Sequence, residues 1–223
     1  MIRRILIGLV LLTACPAFSN TIIVAGLDPT LGLQQSVYFD EDGISSQAYW
    51  VGGITITVDG YSRAAFCVDL FTNISFDTYN TIMDYANTPN LARVSWLLQH
   101  QAPITQLGGA AFQLAVWDII HDNGDGFDSG RVAKSSDPAH LTDPALLALA
   151  AQYEAVSVGQ GSLYAIVYHS TTLSGGVQVQ TLMSRPAADG GPSAAPESSS
   201  IFMIAGGLAM VGLGRLRRRP AAR

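Results

Sequence analysis

Along this chain, apolar positions keep a two-residue period in the first third and then switch to a helical spacing. From Ala48 to Val58, Ile54, Ile56 and Val58 are interleaved with threonines, the pattern of a half-buried strand. Asp59-Gly60 is a two-residue turn signal. The returning strand is expected from Arg63 to Phe71, with Phe66, Val68 and Leu70 on one face and Cys67 and Asp69 on the other. Thr88-Pro89 combines an N-cap with proline at the first helical position, so a helix is expected to about Gln101, where Pro103 stops it. A second helix is expected from Gln106 or Gly109 to His121, then a polar, glycine-rich loop from Asp122 to Asp137. Asp143-Pro144 opens a third helix through Leu146, Leu149 and Tyr153. Strands return at Leu163 to His169 and Val177 to Leu182, separated by Ser174-Gly175-Gly176. Strands flanking a helical block define an α+β class, expected as a β-sandwich or barrel with a helical subdomain inserted into it.

The pattern differs at the two ends. Arg3 and Arg4 precede an apolar run from Ile5 to Ala14 that is short for a membrane span, and Ala17-Phe18-Ser19 places small residues where a signal peptidase cuts. Residues 1–19 are therefore expected to be a removable export signal. Leu12-Thr13-Ala14-Cys15 also resembles a lipobox, which would leave a lipidated Cys15 instead. Residues 185–200 are rich in Pro, Ala, Gly and Ser and read as a linker. In residues 201–223 an apolar, glycine-rich run precedes Arg215, Arg217, Arg218 and Arg219, the expected form of a short transmembrane helix held by a basic cytoplasmic end. Pro196-Glu197, the apolar helix and Arg217-Arg218-Arg219 together resemble the PEP-CTERM sorting signal, with Ser198 standing at the family's second proline. The resemblance implies an exosortase-type processing enzyme as partner, removal of the tail after export, and a Gram-negative cell envelope, surface or extracellular matrix as the destination.

Charge separates the body from its ends. Residues 20–184 hold four basic residues (Arg63, Arg93, Arg131, Lys134) against fifteen acidic ones, a net of −11. A body this acidic repels phosphate backbones, so a nucleic-acid partner is not expected.

If Cys15 leaves with the signal, Cys67 is the remaining thiol, and a single thiol outside the cell cannot form an internal disulfide. It is then a small buried hydrophobe, an intermolecular disulfide partner, a nucleophile, or one end of another covalent bond. Phe66-Cys67-Val68-Asp69 lies on a predicted strand. Forty-six residues later, Phe112-Gln113-Leu114-Ala115-Val116-Trp117 lies on a predicted helix. Together these resemble the thioester domain of bacterial surface adhesins, with its aromatic-Cys strand motif and apolar-Gln-x-Ala-apolar-Trp helix motif, over most of Tyr38 to Leu182. The resemblance implies an intramolecular thioester between Cys67 and Gln113 that captures an amine or hydroxyl nucleophile on a surface or matrix target. Such a protein modifies itself once and is not a turnover enzyme. Gly108, Gly109, Ala110 and Ala111 would let the helix start approach the Cys67 strand closely. Trp117, one helical turn from Gln113, would shield the bond. Asp69, Asp118 and His121 are weaker candidates for moving protons. A solvated acidic surface and an ordinary helix-end histidine account for them more simply. The competing functions are a non-covalent matrix protein of the same fold and a cysteine hydrolase or acyltransferase.

No cofactor or metal is expected. His121-Asp122-Asn123-Gly124-Asp125-Gly126 looks like a calcium loop, but its register fails and Val132 stands where the twelfth-position Glu belongs. His100, His121, His140 and His169 lack metal-ligand spacing, and there is no phosphate-cradling glycine loop or Ser-His-Asp signature.

Overall fold

The computed structural model describes residues 19–170 and 180–186, without the side chains of residues 19, 20, 34 and 35. The expected export signal apart from Ser19, most of the linker, the membrane helix and the basic tail lie outside the described residues, as do residues 177–179 of the last predicted strand. Among the described residues no helix is long and apolar enough to cross a membrane.

Among the described residues, seven strands and three helices follow in the order β1 (Ser19–Glu41), β2 (Ile44–Val58), β3 (Tyr61–Cys67), β4 (Thr78–Tyr85), α1 (Pro89–His100), α2 (Gln106–Asp122), β5 (Val132–Lys134), α3 (Pro144–Ser157), β6 (Ile166–Ser170) and β7 (Leu182–Ser184). This is a sheet-rich α+β fold. Every pairing is antiparallel. The strand order is β2-β3-β7-β6-β4-β1-β5, and β1 also pairs with β2, so the ladder returns on itself.

The turns form where local chemistry allows positive φ. Asp59 and Gly60 have φ of 52° and 82°, the two-residue hairpin that the sequence predicts between β2 and β3. Asp42-Gly43 makes the same turn between β1 and β2, with φ of 48° and 77°. Each helix begins at a side-chain cap: Thr88 accepts from the Leu91 N–H, Thr105 from the Gly108 N–H and Asp143 from the Ala145 N–H.

The fold is centred on α2. It is buried continuously from Gly108 to Ile119, the signature of a helix apolar on all sides. Ala110, Ala111, Leu114, Ala115 and Trp117 pack with Ile22, Val24, Phe39, Ile54, Ile56 and Cys67 of the sheet. Phe112, Val116 and Ile119 pack with Val94, Leu97 and Leu98 of α1 and with Phe66, Val167 and Met183. A Cβ at Gly109 would sit 2.0 Å from the carbonyl oxygen of Leu31, so only glycine permits this approach. The backbone that Gly109 touches belongs to β1, not to the Cys67 strand as the sequence suggested.

The returning strand also ends sooner than expected. Its ladder stops at Cys67, and Val68 N–H instead bonds the Thr181 carbonyl. Phe66 and Val68 share one cluster, but Leu70 joins Cys67 in the other, so the predicted alternation fails past residue 68. Within the expected polar loop, Val132–Lys134 pairs with Phe39–Glu41 as β5. The sixth strand begins at Ile166 rather than Leu163, and the seventh occupies Leu182–Ser184.

Candidate functional site

Cys67 and Gln113 meet through backbone and side chain. The Cys67 N–H donates to Gln113 Oε1 at 2.9 Å, and Gln113 Nε2 donates to the Cys67 carbonyl at 2.6 Å. Along β3, β2 pairs only as far as Ala65, opposite Ile54. Beyond that point the Gln113 carboxamide takes the place of a strand, satisfying both backbone groups of residue 67. Gln113 is 1% exposed, far from the solvated helical glutamine that its sequence position alone would allow. A buried amide left unpaired would cost roughly 1–3 kcal/mol, so this reciprocal pair fixes the side chain firmly.

Cys67, Gln113 and Trp117 line one cleft of about 560 Å³. Trp117 is 3% exposed; its ring lies 5.7 Å from that of Phe39 and 6.1 Å from that of Tyr49. Its Nε1 has no hydrogen-bond partner among the described residues. Tyr49, Trp50 and Phe76 line the same cleft, and Trp50 and Phe76 are largely exposed. The cleft thus has an aromatic mouth and a buried Cys–Gln floor.

The proton-moving candidates do not converge on the thiol. Burial, reinforced by the negative charge of Asp69, pushes the Cys67 pKa up, so the sulfur is held as a thiol. Asp69 lies beyond the end of β3, and its carboxylate accepts from the Phe71 N–H and the Thr72 hydroxyl. His121 Nε2 accepts from the Leu70 N–H at 3.3 Å, and its ring stands edge-on to Phe71. Burial, then the positive charge of Arg131, lowers the His121 pKa, keeping the ring neutral. No described side chain hydrogen-bonds the Cys67 sulfur.

Asp118 is fully buried rather than part of a solvated acidic surface, and it is not in the cleft lining. Its Oδ2 accepts from the Gly126 N–H at 3.2 Å. Burial raises its pKa most, against that bond, and the charges of Asp122 and Asp125 raise it further. So Cys67, Gln113 and Trp117 come together, whereas Asp69, Asp118 and His121 do not line their cleft. Pro196, Glu197, Arg217, Arg218 and Arg219 lie outside the described residues. Sequence reasoning missed Tyr49, Trp50, Phe76 and Gln180, which complete the cleft from β2, from the segment after β3 and from just before β7. No local motif marks them; the β2 aromatics sit one strand away from the Cys67 motif.

No family model, no curated protein and no solved structure matches the chain.

Proposed function

We propose that this is an exported surface or matrix protein whose Cys67 and Gln113 form an intramolecular thioester for covalent capture of an amine- or hydroxyl-bearing target. The observation that carries this reading is the reciprocal hydrogen-bond pair between the Gln113 carboxamide and residue 67. In the first step Sγ bonds to Gln113 Cδ and the Cδ–Nε2 bond breaks. Nε2 leaves as ammonia, carrying the thiol proton. The Cys67 N–H on Oε1 polarises the carbonyl and stabilises the oxyanion that forms. The Cys67 carbonyl holds Nε2 and so orients the leaving group. Because the thiol is disfavoured as a free thiolate here, proton transfer accompanies attack. In the second step an amine bonds to Cδ, the Cδ–Sγ bond breaks, and the amine proton passes to sulfur. Trp117 and the aromatic wall keep water from competing.

In this reading the closed ladder is a barrel-like scaffold for the inserted helical block. The export signal, exosortase-processed tail and membrane helix deliver the domain to a Gram-negative envelope or matrix.

Intact mass tests the chemistry. The wild-type body is expected one ammonia lighter than its sequence, and Cys67→Ala and Gln113→Ala are each expected at full mass. Methylamine should add its own mass and free one alkylatable thiol. Full wild-type mass, with Cys67 alkylated on unfolding, would sink the proposal. That outcome supports a non-covalent structural module, because the same two hydrogen bonds already satisfy a buried glutamine without reaction. A hydrolase has less support: no described histidine bonds Cys67, and His121 spends its Nε2 on the Leu70 N–H.

A further inference from the structure

At the far end of α2 from its N-cap, three aspartates gather, with the Glu154 carboxyl beside them. One ligand oxygen from each of Asp118, Asp122 and Asp125 lies within 4.8 Å of the others. Two oxygens bound to one calcium ion are at most about 5 Å apart, so this spacing fits a shared ion. Exposed acids often cluster idly, but this cluster is not all exposed. Asp118 has no exposed surface, and its Oδ1 has no hydrogen-bond donor among the described residues. Independently, Glu154 of α3 is 5% exposed, and its Oε1 is also unpartnered. The Glu154 carboxyl faces that of Asp118 and feels the charge of Asp125.

Nothing nearby neutralises the group by direct contact. Arg93 reaches the area, but its hydrogen bonds go to the Ser157 hydroxyl, the Asn123 carbonyl and the Glu154 backbone carbonyl. Arg131 pairs with Asp42, and only its backbone N–H reaches Asp122. Asp118 and Asp122 also sit in the last turn of α2, where the helix dipole is negative and disfavours anions. Burying such charges unpaired is costly. Burial and mutual repulsion push the Asp118 and Glu154 pKa values up, and the nearby Arg93 charge offsets this only in part.

We propose that Asp118, Asp122 and Asp125 bind a divalent cation of the calcium class at the C-terminal end of α2, with the Glu154 carboxyl of α3 packed against the ligand Asp118. The donors are all hard oxygens, which select calcium, magnesium or manganese over zinc or copper. Asp122 Oδ2 is held by the Arg131 and Val132 N–H groups, which leaves its other oxygen for the ion. Asp125 is exposed, so water can complete the coordination shell. The twelve-residue loop register fails here because the ligands come from a helix end and its following turn. The site is separate from the Cys67–Gln113 cleft, and the inference does not depend on the thioester reading.

The test is calorimetric and thermal titration of the full chain, stripped with EDTA, using calcium chloride. Saturable binding is expected, with the melting temperature raised by about 5–10 °C at a hundredfold excess over Kd. Asp118→Asn removes a repelling charge, so it should melt higher than wild type in EDTA while losing at least tenfold in calcium affinity. Asp125→Asn should likewise lose binding. Asp128→Asn, which alters an exposed acid paired with Lys134 in the same loop, should bind calcium as wild type does. Failure of calcium, magnesium and manganese all to shift wild-type melting would overturn the proposal and leave a proton shared between Asp118 and Glu154. Unchanged calcium affinity in Asp118→Asn would overturn it equally.

Discussion

Removing Gln113 and removing Cys67 should have unequal costs, because the hydrogen bonds between them use the backbone of residue 67 and the side chain of residue 113. Gln113→Ala orphans a buried N–H and carbonyl and opens a cavity beside α2. It should cost roughly 2–4 kcal/mol. Cys67→Ala keeps both backbone groups paired to Gln113 and should be milder, by about 1 kcal/mol or more. Both variants lack any thioester, so denaturant midpoints compare them directly; equal costs would mean that the pair is not what holds Gln113. His121 makes a second prediction. Its pKa is lowered from the ordinary 6.5 by burial first, so the folded state binds its proton less readily than the unfolded chain. The stability it contributes is present above pH 6.5 and is lost as pH falls through the lowered value. Protonation also removes the Nε2 acceptor that Leu70 N–H uses. Melting temperature should fall with acid below about pH 6.5, and His121→Gln should flatten that part of the profile.

At the scale of elements, α2 is positioned by its N-terminal turn. Gly109→Ala would ordinarily gain about 1 kcal/mol of helix propensity. Here the added methyl meets the Leu31 carbonyl at 2.0 Å, backbone against backbone, so the clash outweighs the propensity. A loss of about 3 kcal/mol is expected, read by denaturant titration. Gln113 lies one turn further on, so the mass deficit ascribed to the thioester should shrink in the same variant. Thr105→Ala removes the α2 cap at Gly108 and should cost about 1 kcal/mol, lowering the melting temperature by roughly 2–4 °C. The helices were legible because caps and prolines are local signals. Two strands were not. The β1 strand carries Gly26, Pro29 and Gly32, which read as breaks but instead lie within a bulged strand. In β4, Thr81 is buried while Ile82 and Tyr85 are substantially exposed, so the hydrophobic alternation cancels. Leu70 was misassigned because a period of two holds only while the ladder continues, and β3 stops at Cys67.

For the whole molecule, the described residues fall within one compact unit that ends at Pro186. Both hydrophobic clusters meet on α2, which faces the sheet on one side and α1 on the other. A chain shortened to residues 19–186 should therefore unfold in one cooperative transition, with calorimetric and van't Hoff enthalpies equal. Two separate transitions would show that the clusters are not one core. The net charge of −11 over residues 20–184 is a property of the chain at large, yet its placement matters locally. The three aspartates at the end of α2 are close in sequence, but Glu154 reaches them only because α3 packs on α2.

By itself, the sequence determined the strand–helix–strand order, one of the two hairpin turns and two of the three helix caps that set boundaries, and the pairing of Cys67 with Gln113 and Trp117 as candidates. Those are consequences of short-range rules: turn dihedrals, caps and side-chain period. Only the tertiary structure decided that Gln113 is buried and bonded to the backbone of residue 67, that Gly109 rests on β1, and that Asp118 is buried against Glu154. Each of those depends on where a strand stops or a distant helix lands, and burial and charge coupling arise only after the chain has closed on itself.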